Sequence, residues 1–252
     1  MTEALVSIGV AGALGPAAIA RIATAVEAAG FHALWVNDTP DGDSLAALAA
    51  AAETTTTLTL ATGVIPVDRR SARDIAEAAR GLPADRVALG IGSGSSPVGA
   101  LARVRDAVAE LEDSTALRVL VGGLGPKMRA LAATDADGVI LNWLTPDTAA
   151  AQADEAHAAG GPAVLYVRTA LDPAARERLH AETARYASYP NYAANFARLG
   201  IAAGDTVLDP GTFATGIRRY RPAVDDVVLR AIVRGDGADD HLRFVEQAAA
   251  LI

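Results

Sequence analysis

The sequence predicts one (β/α)8 TIM barrel of the α/β class, occupying residues 1–252 as a single domain. Three observations lead there. Short β-branched apolar runs alternate with longer Ala-, Leu-, Glu- and Arg-rich stretches of helical spacing, which is the pattern of repeated βα units. Eight such pairs can be read along the chain. Parallel barrels commonly reach this length as one unit, and no linker rich in Ser, Pro or Gly divides the sequence. An open doubly wound sheet shares much of this alternation and stays as the alternative.

The predicted strands are 4–10, 32–37, 58–64, 86–92, 117–122, 137–143, 163–169 and 226–233. Their helices fall near 16–29, 43–53, 71–81, 98–112, 125–134, 147–159, 172–187 and 238–250. The stretch 188–225 breaks the rhythm: it is rich in Tyr, Pro and Gly and predicts an insertion between the seventh and eighth strands carrying one or two short helices. Long inserts on barrels tend to be functional loops.

A hydrophobic fraction of 51% with 21% charged residues and 23 glycines excludes a disordered chain, a collagen and a coiled coil. Lys+Arg 22 against Asp+Glu 30 gives a formal charge of −8, which argues against a nucleic-acid partner and for a small molecule. The absence of cysteine removes disulfides, thiolate metal ligands and cysteine nucleophiles, as suits a reducing compartment. The opening MTEALVSIGVAG carries an acid and no base, unlike a secretory signal. No apolar run reaches the ~18 residues of a membrane span. The expectation is a soluble cytoplasmic protein.

Barrel enzymes place their chemistry at the C-terminal ends of the strands. Those ends hold Asp38, then Pro66, Asp68, Arg69 and Arg70, then Ser93, Ser95 and Ser96. Farther along they hold Gly122, Gly123 and Gly125, then Asn142 and Trp143, Arg168 and Thr169, and Gly235 and Asp236. His32 precedes a strand, and His157, His180 and His241 fall in predicted helices, which argues against a histidine general base or a metal centre. The segment Gly122–Met128 leaves the fifth strand and starts a helix. Free amides, glycines that permit close approach and the positive end of the helix dipole make an anion site there, aided by Lys127, the only lysine. A plain tight turn with a solvated lysine is the competing reading.

Gly90–Pro97 looks like a phosphate loop but fails as a dinucleotide fingerprint: the sixth position from Gly90 is Ser95 and from Gly92 is Pro97. It reads as a strand end with small residues admitting a flat ligand, or as a turn only. Asp38 is the best single carboxylate, either steering a proton beside a bound ring or capping the turn Asn37–Pro40. Arg69, Arg70 and Arg73 form a basic cluster that suits an acidic cofactor tail or a solvated helix start.

At AGFHALWVND, LTLATGVIP, RVALGIGSGSSP and, most specifically, VLVGGLGPKMRALAATDADGVILNWLTP, the chain resembles the bacterial luciferase-like superfamily. It is similar in particular to the deazaflavin (coenzyme F-420)-dependent oxidoreductase branch, and YPNYAANFARLGI resembles that branch's later region. The matches span most of 1–203. The resemblance implies a barrel binding F-420, or alternatively FMN, at the strand C-termini. The ring would lie against a bulge at Gly63 and Val64, often a non-proline cis peptide. The phosphate would lie on Gly122, Gly123, Leu124, Gly125 and Pro126. Asp38 matches an acidic position near the ring and is the catalytic candidate.

In that frame Ser93 and Asn142 would bond ring or substrate, and Trp143 and Tyr189 would wall the substrate pocket. The implied activity is hydride transfer between F-420 and a small organic substrate, by a homodimer. The alternatives are an FMN-dependent luciferase-like monooxygenase, a non-catalytic flavin-binding barrel, and an unrelated phosphate-binding barrel. Two departures stand out. Asp38-Thr39-Pro40 replaces a common Asp-His-Phe, so a histidine is missing there, and the chain is short between its fourth and fifth strands.

Overall fold

The computed structural model describes residues 4–252. Nine parallel sheet segments follow in chain order: β1 (Leu5–Ala11), β2 (Ala33–Asn37), β3 (Thr59–Thr62), β4 (Ile65–Pro66), β5 (Val87–Gly92), β6 (Arg118–Gly122), β7 (Val139–Asn142), β8 (Ala163–Thr169) and β9 (Asp226–Ala231). They pair in the order β3-β2-β1-β9-β8-β7-β6-β5-β4, and β3 also pairs with β5. That last pairing closes the sheet. Because β4 continues β3 along the edge of β5, the two short segments form one stave, and the barrel has eight. The open-sheet alternative is thereby removed.

The helices are α1 (Pro16–Ala28), α2 (Ser44–Thr54), α3 (Ala72–Ala78), α4 (Ala100–Ser114), α5 (Pro126–Asp135), α6 (Pro146–Ala158), α7 (Arg176–Ser188), α8 (Pro190–Leu199), α9 (Phe213–Tyr220) and α10 (Ala238–Leu251). They form because apolar residues recur at helical spacing. Ile19, Ile22, Ala23 and Val26 of α1 are buried, as are Val104, Ala107, Val108 and Leu111 of α4, each set at i, i+3, i+4 and i+7. Their starts are fixed by side chains that take up free amides: Asp43 for α2, Ser71 for α3 and Thr145 for α6. The predicted helix over 98–112 begins two residues late, behind Gly99 at φ 63. The insertion 188–225 carries α8 and α9 with a 3-10 turn at Ala203–Thr206 between them.

Alternation along the strands sorts two cores. Ile8, Leu34, Leu60, Leu89, Val119 and Leu229 face the helices, while Trp35, Leu120, Ile140, Val164, Tyr166 and Val228 fill the barrel. Trp35 and Tyr166 meet edge to face, with ring centroids 5.9 Å apart. Such bulk needs compensation across the lumen. A Cβ on Gly9 would lie 2.9 Å from Val228 Cγ1 and 3.3 Å from Tyr166 Cε1.

The N-terminal face is tied by charge. One Glu27 oxygen accepts from the amides of Thr56, Thr57 and Leu58 at 2.9, 2.7 and 2.9 Å, fixing the entry to β3. Arg86 donates to the carbonyls of Ala52, Thr55 and Leu58, closing the end of α2 against the same loop. At the barrel floor Asp226 is buried, and its Oδ2 accepts from Ser7 Oγ at 2.9 Å and Trp35 Nε1 at 3.3 Å. Its other oxygen has no partner.

These two carboxylates respond to pH with opposite signs. The amides of Thr57, Leu58 and Thr56 hold Glu27 down to about 2, so its contribution is complete above the ordinary 4.5 and is lost as pH falls toward 2. Glu27→Gln should lower the thermal midpoint at neutral pH, and the gap to the parent should close in acid. Burial, with Asp225 adding, pushes the Asp226 carboxyl up to about 7 against the bonds from Ser7 and Trp35. The folded chain then holds that proton more tightly than the unfolded one, and stability falls as pH rises from about 4 through about 7. Thermal melts across that range should show the fall flattened in Asp226→Asn.

Candidate active site

The C-terminal ends of the strands meet at one mouth, and its most distinctive point is the break between β3 and β4. The Gly63–Val64 peptide is cis, as the resemblance implied. The Gly63 amide donates to Val36 O at 2.9 Å, and its carbonyl accepts from Asn37 Nδ2. Beneath it Thr62 Oγ1 accepts from the Gly90 amide at 2.9 Å and donates to the Gly90 carbonyl at 3.0 Å. Only glycine fits at 63. A Cβ there would overlap Tyr166 Oη and lie 2.6 Å from Tyr166 Cζ.

Val64 lies over strand ends that carry no side chain. A Cβ on Gly92 would come within 2.6 Å of Val64 Cγ2, and one on Gly122 within 3.3 Å of Val64 Cγ1. The result is a low apolar ledge on the β4–β6 side of the mouth. Four residues beyond Gly122 the chain enters α5, and here the predicted anion-site residues divide. Gly123 serves packing: its missing Cβ leaves room for Arg129 Cγ (2.8 Å), and Arg129 is buried, paired with Glu155 at 2.8 Å and bonded to the Leu124 carbonyl. Gly125 faces open space, has no side-chain cap, and precedes Pro126 in the first turn and an exposed Lys127. An uncapped helix start is thus exposed beside the ledge.

The second predicted loop is filled by the chain itself. Asp68 Oδ2 accepts from the amides of Ser95 (2.8 Å) and Ser96 (3.1 Å), so that loop already holds an anion. These bonds and the nearby Arg103 outweigh desolvation and hold Asp68 below the ordinary carboxylate range. Ser93 Oγ makes only a long 3.4 Å bond to Gly94 O.

Asp38 is likewise engaged on both oxygens. Oδ1 accepts from the Ser44 amide at 3.0 Å and Ser44 Oγ at 2.8 Å, and Oδ2 accepts from Arg69. Its side chain is 5% exposed. Arg70 pairs with Asp43 at 3.1 Å, so two of the three clustered arginines anchor the start of α2.

On the β7–β8 side the insertion forms a roof. Trp143 is 1% exposed and holds φ 54, a left-handed backbone that a bulky residue keeps only when its surroundings fix it. They do. The Arg168 guanidinium lies 4.2 Å above its ring, Tyr186 packs at 4.8 Å and Phe196 at 6.2 Å edge-on. Trp143 is therefore enclosed by α7 and α8, whereas Tyr189, 41% exposed, stands at their junction. Asn142 lies near the Tyr192 hydroxyl under the same roof.

Residues 4–117 match the luciferase-like monooxygenase family. The match covers the first four staves of the barrel and the helices between them. Among solved structures it is similar to an F-420-dependent secondary alcohol dehydrogenase in complex with an F-420–acetone adduct, at TM-score 0.73 and 14% identity, covering 100% of this chain and 98% of that one. The F-420-dependent tetrahydromethanopterin reductase of Methanopyrus kandleri gives 0.73 at 16% identity, with 100% and 99% covered. An FMN-bound type II Baeyer-Villiger monooxygenase component from Pseudomonas putida gives 0.68 at 13%, with 99% and 98% covered. At these identities the likeness is one of fold. No curated protein matches the sequence significantly.

The barrel also gathers residues that the strand-end reading passed over. Arg230 of β9, Glu182 of α7 and His241 of α10 line a cleft of about 710 Å³ at the mouth. Two sequence signals point to them. In β9 the charged residues Asp226 and Arg230 take the inward positions with Val228, while Val227 and Leu229 face outward. In α10 His241, Phe244, Val245 and Ala248 share one buried stripe, so His241 occupies a core-facing position. Among the described residues no helix is long and apolar enough to cross a membrane, and no three His, Cys, Asp or Glu side chains converge on a metal position.

The close fit at Gly63 can be tested. Gly63→Ala should cost about 1–3 kcal/mol by overpacking. Tyr166→Phe alone should be near neutral, because the buried Tyr166 hydroxyl has no partner to lose. Combined with Gly63→Ala it should recover part of the loss, and denaturant unfolding of the two single variants and the double variant measures the coupling.

Proposed function

We propose that this luciferase-like barrel is an oxidoreductase that transfers a hydride between coenzyme F-420 and a small organic substrate. The observation that carries the reading is the placement of Val64 over the bare strand ends at Gly92 and Gly122, with the uncapped start of α5 at Gly125 three residues farther on. A flat ring joined to a phosphate has that outline. The fit extends to polar atoms. Asn37 Oδ1, Trp143 Nε1 and Arg168 Nη1 are buried near the strand ends without partners, and a ring edge or substrate is what such atoms require.

The bound cofactor would supply the carbon that gives or takes the hydride, so the chain needs few acid-base groups of its own. Val64 supports one face of the ring, and Gly92 and Gly122 leave room for it. The Lys127 amide and side chain, at the positive end of α5, would hold the phosphate. Asn142 orients ring or substrate from the opposite side. With both oxygens engaged, Asp38 acts through Arg69 as a positioning residue rather than as the proton donor suggested by sequence. The aromatic roof of Tyr186, Tyr192 and Phe196 excludes water from the strand ends. A monooxygenase using FMN is the second reading, favoured by the FMN-bound neighbour.

Fluorescence titration with F-420 and with FMN, on the parent and on Gly125→Asp, distinguishes the readings. The backbone at Gly125 has φ −95 and open space around it, so aspartate folds there without strain and places a negative charge at the phosphate position. F-420 should bind the parent, and the variant should bind it about tenfold more weakly or worse. Binding of FMN alone gives the monooxygenase reading the lead. Binding of neither removes both.

A further inference from the structure

The cleft at β9, α7 and the start of α10 lies on the far side of the mouth from the Val64 ledge and has its own chemistry. Its volume, about 710 Å³, is that of a small-molecule pocket. Most of its charges are already paired. Arg178 pairs with Asp236 at the rim, and Glu182 accepts from Arg168 at 3.3 Å with Arg185 3.8 Å away. Asp41 is exposed to water.

Arg230 is different. Its Nη1 donates to the neighbouring Ala231 carbonyl at 2.5 Å, and it has no ion-pair partner among the described residues. The register places Arg168 directly beside it, and Arg168 is 6% exposed with Nη1 unpartnered. Two adjacent guanidiniums, that of Arg168 buried and that of Arg230 half-buried, thus share one carboxylate, Glu182. A surplus of buried cationic charge is costly until an anion completes it.

His241 adds a second requirement. It is 6% exposed, and its Nδ1 lies 3.0 Å from the Gly237 carbonyl. A carbonyl only accepts, so Nδ1 carries the hydrogen. In the neutral ring Nε2 then presents a lone pair, and it has no protein partner among the described residues. Burial, with Arg230 adding, holds the imidazole below its ordinary pKa and so favours that neutral form.

We infer that this cleft is the substrate site and that it takes a small hydroxy-carboxylate, with the carboxylate on Arg230 and the hydroxyl donating to His241 Nε2. That the bound anion is the substrate of a redox reaction rests on the cofactor reading above; that the cleft binds it does not.

The test is calorimetric titration of the protein with glycolate, acetate and glycolamide, with and without F-420 or FMN. Glycolate should bind. Glycolamide, which keeps the shape and loses the charge, should bind about 10- to 100-fold more weakly, as expected for loss of a charge-assisted bond. Acetate should fall between them. Arg230→Met should abolish carboxylate binding, and Arg230→Lys, which keeps the charge, should retain part of it if the methionine variant fails to fold. His241→Phe should bind acetate like the parent and lose the preference for glycolate.

Equal binding of glycolate and glycolamide overturns the inference, as does no binding with or without cofactor. So does carboxylate binding that survives Arg230→Met but is lost in Gly125→Asp, since the anion would then sit at α5. If glycolate binds and neither cofactor does, the hydride-transfer reading fails and this site stands.

Discussion

The barrel's lumen is filled by two large aromatic residues, Trp35 and Tyr166, and most of what distinguishes the mouth follows from making room for them. Interior volume is fixed by the eight staves, so bulk from β2 and β8 requires its absence elsewhere. Gly9 supplies that absence on β1, and Gly63 supplies it where β3 breaks. Tyr166 sits directly beneath Gly63, and Thr62 and Asn37 hold the peptide on either side of it. The break therefore stands on packed groups, and Val64 is carried with it over the bare ends of β5 and β6.

The two faces of the barrel use polar groups differently. At the N-terminal face and floor they are spent on the fold: Glu27 and Arg86 between them take up the amides and carbonyls of one loop, and Asp226 ties β9 to β1 and β2. At the mouth, the β2–β5 side is also neutralised internally, since Asp38 engages Arg69 and Asp68 fills the Ser95–Ser96 loop. That leaves the start of α5 and the Arg230 cleft as positions able to receive charge. They flank the mouth on opposite sides. A phosphate-bearing cofactor on one and an anionic substrate on the other would bring both ligands to the strand ends without competing for the same cation.

Several elements were readable before the fold was known. The eight strands, the insertion over 188–225 and the uncapped helix start at Gly125 all follow from local pattern: period-two or helical apolar spacing, turn composition, and glycine before proline. The same local signals read Gly90–Pro97 as a strand end open to a flat ligand or as a turn only, and in the fold that turn receives Asp68 from the preceding βα connection. They also presented Gly122–Pro126 as a single site. Gly122 makes room for Val64 and Gly123 for Arg129, both consequences of contacts made across the fold.

By itself, then, the sequence determined the order and type of the elements, because each rests on residues within one or two turns of one another. Which residues face the same space was decided by closure of the barrel. Closing β3 onto β5 completes the lumen in which Tyr166 lies under Gly63, the β8–β9 register sets Arg168 beside Arg230, and α10 brings a helical histidine, His241, to the wall of a cleft. Those groups lie far apart along the chain, and only strand pairing and closure of the sheet make them neighbours.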